Sequence, residues 1–330
     1  MATGHLPSPI MNAKQFHKPE KDKDGYLIPV VPKKVLAPPG FVTAVEFYNY
    51  LNGELGYPFI LDDQYLLILD SRTNCEYLEC HIATARMHTD IHIVFECLLD
   101  LGKLDAYSFI VIYDYDGSGV NVENSQLMKT YKEIREQGHD VEILLGGIQQ
   151  FSSKFPFLCT DKIINTEPDR RRLLKNYPAI VFDDFLFQGN GEHAIDNEVF
   201  INLKITHVVN ISVEVPNAFP EHVVYFNIQV TDEISSKILT KLSAAADFIA
   251  ESIANGGRVF VHCVLGASRS STVTIAYLMK YHAWTLEGAL RYLKECRQCI
   301  SPNRGFLCQL SKFEEELYGK VLTSIDHIWV

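Results

Sequence analysis

This sequence predicts an α/β fold in two successive domains, and three observations carry the prediction. The chain has 330 residues, more than one hydrophobic core usually serves. Apolar runs of strand length alternate along it with helix-compatible segments, the pattern of a parallel sheet. Late in the chain, the largely apolar stretch 257–261 runs into the string HCVLGASRS (262–270) and then into the helix-compatible stretch 270–279. Strand, tight loop and helix follow one another there.

Residues 1–38 are rich in Pro and Lys, lack apolar periodicity and are expected to form a flexible arm. Order is expected from about Phe41, with residues 44–51 as a short amphipathic helix. Residues 65–70 read as a buried strand closed by Ser71 and Arg72. Residues 108–113 read as a second strand, which enters an Asp/Gly loop. Residues 124–138 read as a helix, and residues 141–145 as a third strand ending at Gly146 and Gly147. The first domain is thus expected over 39–160. A polar, basic linker follows over 161–177, with PDRRRLLKNYP at 168–178. The second domain, 178–330, opens on a hairpin of residues 179–181 and 185–189. Then come a short helix (199–203), strands at 206–211 and 224–230, and a long helix at 235–254 that runs behind the 262–270 loop.

The residue types in that loop suit phosphate-ester chemistry. A loop at a helix N-terminus gathers backbone N–H groups, and the helix dipole favours negative charge there. Such a cradle fits a phosphate and equally a thiolate, the nucleophilic form of Cys263. Arg269 offers a planar fork that matches two phosphate oxygens. Gly266 lets the backbone turn without placing a side chain in the cradle. Ser270 can hydrogen-bond the sulfur and help it leave. His262 orients the loop from behind.

HCVLGASRS resembles the signature loop of the cysteine-dependent protein tyrosine phosphatases, in the form used by dual-specificity phosphatases. Tyr277-Leu278-Met279 continues the helix as that family does. PNRGFLCQL (302–310) resembles its PN-x-GF-x-x-QL segment, and YFNIQVTD (225–232) resembles the strand and loop that deliver its general acid. The likeness spans about residues 178–319. It implies hydrolysis of phosphotyrosine and phosphoserine/threonine through a cysteinyl-phosphate on Cys263. Val264, Leu265, Gly266, Ala267, Ser268 and Arg269 would bind the phosphate, and His262 and Asn303 would support them. Asp232, 31 residues before Cys263, would be the general acid and then the base; Glu233 is the alternative. Leu265 stands where the family commonly has Ala and is expected to narrow or tilt the cradle.

In the first half, residues 67–72, HIATA (81–85) and residues 144–147 resemble, in that order, recurrent motifs of the rhodanese domain. Sulfur-transferring rhodaneses place a cysteine directly after the second strand. Here YDYDGSG (113–119) puts Asp114 there. A carboxylate cannot carry a persulfide, so this domain is expected to bind or support. The combination resembles mitogen-activated protein kinase phosphatases, and most closely the serine/threonine/tyrosine-interacting-like proteins. Many of those relatives have lost the cysteine, but this chain keeps Cys263. The resemblance implies a phosphoprotein substrate such as a mitogen-activated kinase, with a phosphoprotein- or kinase-binding scaffold of little turnover as the alternative. Those kinase phosphatases carry a basic docking cluster after the HIATA-like segment. Residues 86–94 here hold a single arginine. Arg170, Arg171 and Arg172, followed by Leu173 and Leu174, form the remaining basic–apolar element for a kinase groove; the other reading is a solvated linker.

Composition narrows the rest. A formal charge of −11 argues against nucleic-acid or anionic-membrane binding. No apolar run is long enough to span a bilayer, and the first residues lack a signal-peptide core and a Gly at position 2. A cytoplasmic location is expected, with the nucleus also open. The eight cysteines are scattered, and Cys296-Arg-Gln-Cys299 has no second pair to complete a zinc site. Those two are read as buried thiols, no metal or cofactor is expected, and a disulfide between Cys263 and a nearby thiol under oxidation stays open.

Overall fold

The computed structural model describes residues 19–32, 37–54, 58–62, 64–88, 103–164, 166–182 and 184–328. It divides into two compact units, Leu36–Asn176 and Met1–Val35 with Tyr177–Val330.

The Leu36–Asn176 unit is built on a parallel sheet, five-stranded among the described residues. Its order is Phe41–Val42, Glu142–Leu144, Phe109–Tyr113, Leu66–Asp70, Arg86–Met87. Covered on both faces, its central strands are continuous apolar runs rather than alternating ones. Helix Ala44–Leu51 starts at a capping box, with Thr43 accepting from Glu46 N–H and Glu46 reaching back. Helix Gln126–Glu136 starts on Ser125, two residues inside each expected end. Asp70 is fully buried but paired: Arg72 Nη2 lies 2.7 Å away and Tyr113 Oη donates to it at 2.7 Å. Residues 89–94, the larger part of the segment compared with a docking cluster, lie outside the described residues.

The linker expectation is corrected. Glu167–Leu173 is a helix capped by Thr166, with Pro168 in its first turn. It belongs to the first unit. Arg170 is 4 % exposed and donates to Ile60 O at 3.3 Å. Arg171 and Arg172 pair within the helix to Glu167 and Asp169 at 2.8 and 2.7 Å. The basic run is therefore not a free docking strip, because one arginine packs inward and two are answered by acids one turn earlier.

The second unit has a five-stranded sheet among the described residues, ordered Val224–Asn227, His207–Asn210, Val259–His262, Leu186–Gly189, Ala179–Phe182. All pairs are parallel except the last, an antiparallel hairpin with an irregularity between Ile180 and Phe182. Val259–His262 is wholly buried at the centre. Helix Arg269–His282 is buried along its first eleven residues, as a helix inside a core must be. Its polar residues are satisfied locally: Ser271, Thr272 and Thr274 each donate to the carbonyl four residues back.

Two elements fall three or four residues short of the expected bounds. The strand from Val224 stops at Asn227, and the long helix begins at Leu239. The intervening residues form a loop that ends where Gln309 Oε1 accepts the N–H groups of Ile238 and Leu239, at 2.8 and 3.0 Å. A remote side chain thus supplies the cap that the local sequence lacks.

Residues 19–32 also correct the expected arm; residues 1–18 and 33–36 lie outside the described residues. Leu27 is buried and its N–H donates to Leu317 O at 2.9 Å, while Val30 N–H donates to Ala283 O at 2.7 Å. Pro and Lys content concealed a segment that packs through Leu27 and its backbone.

Candidate active site

Strand Val259–His262 ends at the carboxyl edge of the sheet, and helix Arg269–His282 starts six residues after Cys263. The loop between them closes around the cysteine. Cys263 is 1 % exposed. Its Sγ accepts the Gly266 N–H at 3.2 Å and lies 3.4 Å from Ser270 Oγ. Gly266 has φ +68, and a Cβ there would stand 2.5 Å from Gly189 O. Both facts demand glycine.

Arg269 is buried among groups from three distant segments. Its Nη1 donates to Glu214 Oε2 at 2.7 Å and to Val230 O at 3.1 Å, and its Nε lies 3.7 Å from Asp232 Oδ2. That Nε is buried and makes no hydrogen bond among the described residues. Hydrogen bonding to Arg269 is the largest influence holding the Glu214 carboxyl below its ordinary range.

Asp232 is tied to the same loop. Its Oδ1 accepts from Ser268 Oγ at 2.6 Å and from Asn303 Nδ2 at 2.8 Å. Asn303 also caps helix Arg304–Tyr318 through Phe306 N–H, and its own N–H donates to Ser268 Oγ at 3.1 Å. Glu233 has no such tie; its carboxylate meets Ser235 at 3.5 Å. The structure thus brings Asp232, and not its neighbour, against the loop.

His262 is 1 % exposed, with Nδ1 3.4 Å from Cys263 O. Burial pulls its pKa down to about 4, so the imidazole is neutral at ordinary pH. The expected effect of Leu265 is corrected: the side chain is 72 % exposed and does not fill the cradle. Cys296 is buried and Cys299 half-buried.

Glu214, Gln188 and Arg297 reach this site without a recognisable local signal. Glu214 sits 55 residues from its partner, in a stretch with no motif. Gln188 donates to Gly266 O at 3.3 Å and Ser271 Oγ at 2.8 Å. Arg297 donates to Gly266 O at 3.0 Å.

In the first unit, Asp114 directly follows strand Phe109–Tyr113. Its two carboxylate oxygens accept the N–H groups of Gly117 and Gly119, at 2.5 and 2.8 Å. The loop is organised around an acid where a sulfur carrier would need a thiol.

Comparison with known proteins divides the chain the same way. Residues 186–316 match the dual specificity phosphatase catalytic domain, and residues 60–154 match the rhodanese-like domain. A probable rhodanese domain-containing dual specificity protein phosphatase of Dictyostelium discoideum is 34% identical over 185 residues, 56% of this chain and 39% of that protein. Dual specificity protein phosphatase 1-A of Xenopus laevis is 30% identical over 292 residues, 76% of this chain and 78% of that one. The crystal structure of human tyrosine phosphatase-like serine/threonine/tyrosine-interacting protein is 28% identical. It covers 43% of this chain and 98% of its own, with a TM-score of 0.41.

Proposed function

The chain belongs to the dual specificity protein phosphatases that carry a rhodanese-like domain, and from that premise we propose that Cys263, Arg269 and Asp232 hydrolyse phosphate esters on protein side chains. One observation carries the assignment. The Cys263 sulfur, a buried Arg269 Nε that makes no hydrogen bond among the described residues, and the Asp232 carboxylate meet at one hydrogen-bonded loop.

In the first step the Cys263 thiolate attacks phosphorus, an S–P bond forms and the ester P–O bond breaks. Asp232 in its acid form gives a proton to the leaving oxygen. In the second, water attacks phosphorus, Asp232 takes its proton and the S–P bond breaks, returning the thiolate. The inward N–H groups and Arg269 stabilise the charge that grows on the equatorial oxygens. Ser270 donates to the sulfur as it departs. His262, buried and neutral, holds the loop.

Glu214 favours a second reading, a scaffold that binds a phosphoprotein or kinase and turns over little. Its carboxylate already occupies one edge of the Arg269 fork, and an incoming phosphate must share or displace it. A small aryl phosphate and a doubly phosphorylated kinase peptide, each with Cys263→Ser as control, separate the readings. Cysteine-dependent phosphate release supports the enzyme; tight binding without release supports the scaffold. Mitogen-activated kinases are the substrates we propose, on the strength of the sequence resemblance to mitogen-activated protein kinase phosphatases; the same kinase peptide tests this, against an unrelated phosphopeptide.

A further inference from the structure

The loop around Cys263 is held from outside as well as lined from inside. Four consecutive carbonyls are each taken by a donor on another segment. Val264 O accepts from Gly191 N–H at 2.9 Å and Ala267 O from Ser301 N–H at 2.8 Å. Leu265 O accepts from Arg297 Nη2 at 3.4 Å. Gly266 O accepts from Arg297 Nε at 3.0 Å and Gln188 Nε2 at 3.3 Å. A trans peptide is planar, with its C=O and N–H on opposite sides. Fixing a carbonyl outward therefore turns the following N–H inward. The Leu265–Gly266 unit shows this: Arg297 holds its carbonyl and its N–H donates to Cys263 Sγ at 3.2 Å.

Arg297 is the one cation among those four sets of donors, and it spans two carbonyls. It stands where helix Leu286–Cys296 ends in extended backbone, φ −146 and ψ 103, between the cysteines of the C-x-x-C string. It is 2 % exposed. A Cβ on Gly266 would lie 2.8 Å from its Nη2, so the guanidinium fits closely against the back of the loop. A cation at the carbonyl end of a peptide polarises that amide and strengthens its N–H as a donor.

We propose that Arg297 is a positioning residue for the phosphatase reaction, on the reading given above: its guanidinium fixes the Leu265–Gly266 peptide so that the amide stabilises the Cys263 thiolate. Asp232, Glu214 and Arg269 face the loop from its open side. His262 and His193 lie behind it, and burial, with the nearby Arg297 charge as a lesser cause for His193, holds them at about 4 and about 3. Both histidines are neutral above about pH 5, so alkylation of Cys263 above that pH is not read through them.

The test is the rate of Cys263 alkylation by iodoacetamide in the full chain, read by peptide mass, against pH. For Arg297→Met the expected rate near pH 6 falls about tenfold, while near pH 9.5, above the roughly 8.5 of an ordinary free thiol, it matches the parent. Arg297→Lys keeps the charge but cannot span both carbonyls, and recovers part of the loss. If Arg297→Met does not fold, Arg297→Lys carries the test, with a smaller loss near pH 6 expected. A pH profile that superimposes on the parent's in the folded variant overturns the proposal and leaves Arg297 a packing residue. Alkylation needs no turnover, so a chain that proves to hydrolyse nothing sinks the phosphatase reading without touching this measurement.

Discussion

Two loops of this chain follow the carboxyl end of a parallel strand and aim backbone N–H groups at one side chain. After Phe109–Tyr113, the side chain is Asp114, and its two oxygens take the N–H groups of Gly117 and Gly119. After Val259–His262, it is Cys263, whose sulfur takes one, from Gly266. The difference is one of leftover capacity. The first loop spends donors on a carboxylate of its own, which also repels sulfur anions. The second retains a buried Arg269 Nε that makes no hydrogen bond among the described residues beside a polarisable nucleophile. The same backbone device serves as a structural turn in one place and as a candidate reaction centre in the other.

Breaking the second loop has the largest expected effect. Cys263→Ser should lower turnover by about a thousandfold or more, because an alcohol cannot replace the thiolate; activity near the parent's in phosphate release would end the covalent mechanism. Arg269→Lys keeps the charge but loses the fork, and about 10²–10³ in kcat/KM should go with it. Steady-state kinetics on a phosphopeptide that show equal values would remove the role given to Arg269. Asp232→Asn should cost about 10² on substrates with a poor leaving group and far less on an activated aryl phosphate. If Glu233→Gln shows that pattern instead, the wrong carboxylate has been assigned.

The first loop sharpens the contrast at smaller scale. Asp114→Ala leaves two N–H groups without their acceptor, which should cost about 1–3 kcal/mol in urea unfolding and leave kcat/KM unchanged. Thiosulfate and cyanide should give no thiocyanate above a blank with the parent chain, and production that survives Cys263→Ser would contradict the placing of Asp114.

Protons act on the second loop's own unit. His193, His262 and His282 are held down to about 3, 4 and 4 by burial, below the ordinary 6.5 of an unfolded histidine. The unfolded chain therefore binds more protons below pH 6.5, and the phosphatase unit should lose stability as pH falls from about 6.5 toward 4. Thermal unfolding across that range checks the sign, and His262→Asn should flatten the slope.

The sequence by itself determined whatever is contiguous. The string from His262 to Ser270 implies strand, cradle and helix, because those residues are neighbours and their geometry is local. The apolar runs ending at Asp70, Tyr113 and Leu144 declared buried strands, because a parallel sheet covered on both faces tolerates nothing else. Asp114, by its identity alone, set the expectation that this domain carries no persulfide. Tertiary structure decided what closes from a distance. It set Glu214 on Arg269 and Gln309 on the start of the long helix. It turned Leu265 outward, seated Leu27 in the second unit and buried Arg170 in the first. Each depends on which loops and helices meet at a sheet edge or a helix end. A lone Glu, Gln or Arg carries no periodicity to announce its partner. The physical reason is that a charge or an amide donor commits to whichever group packing brings within about 3 Å, and that neighbour is chosen by the fold as a whole.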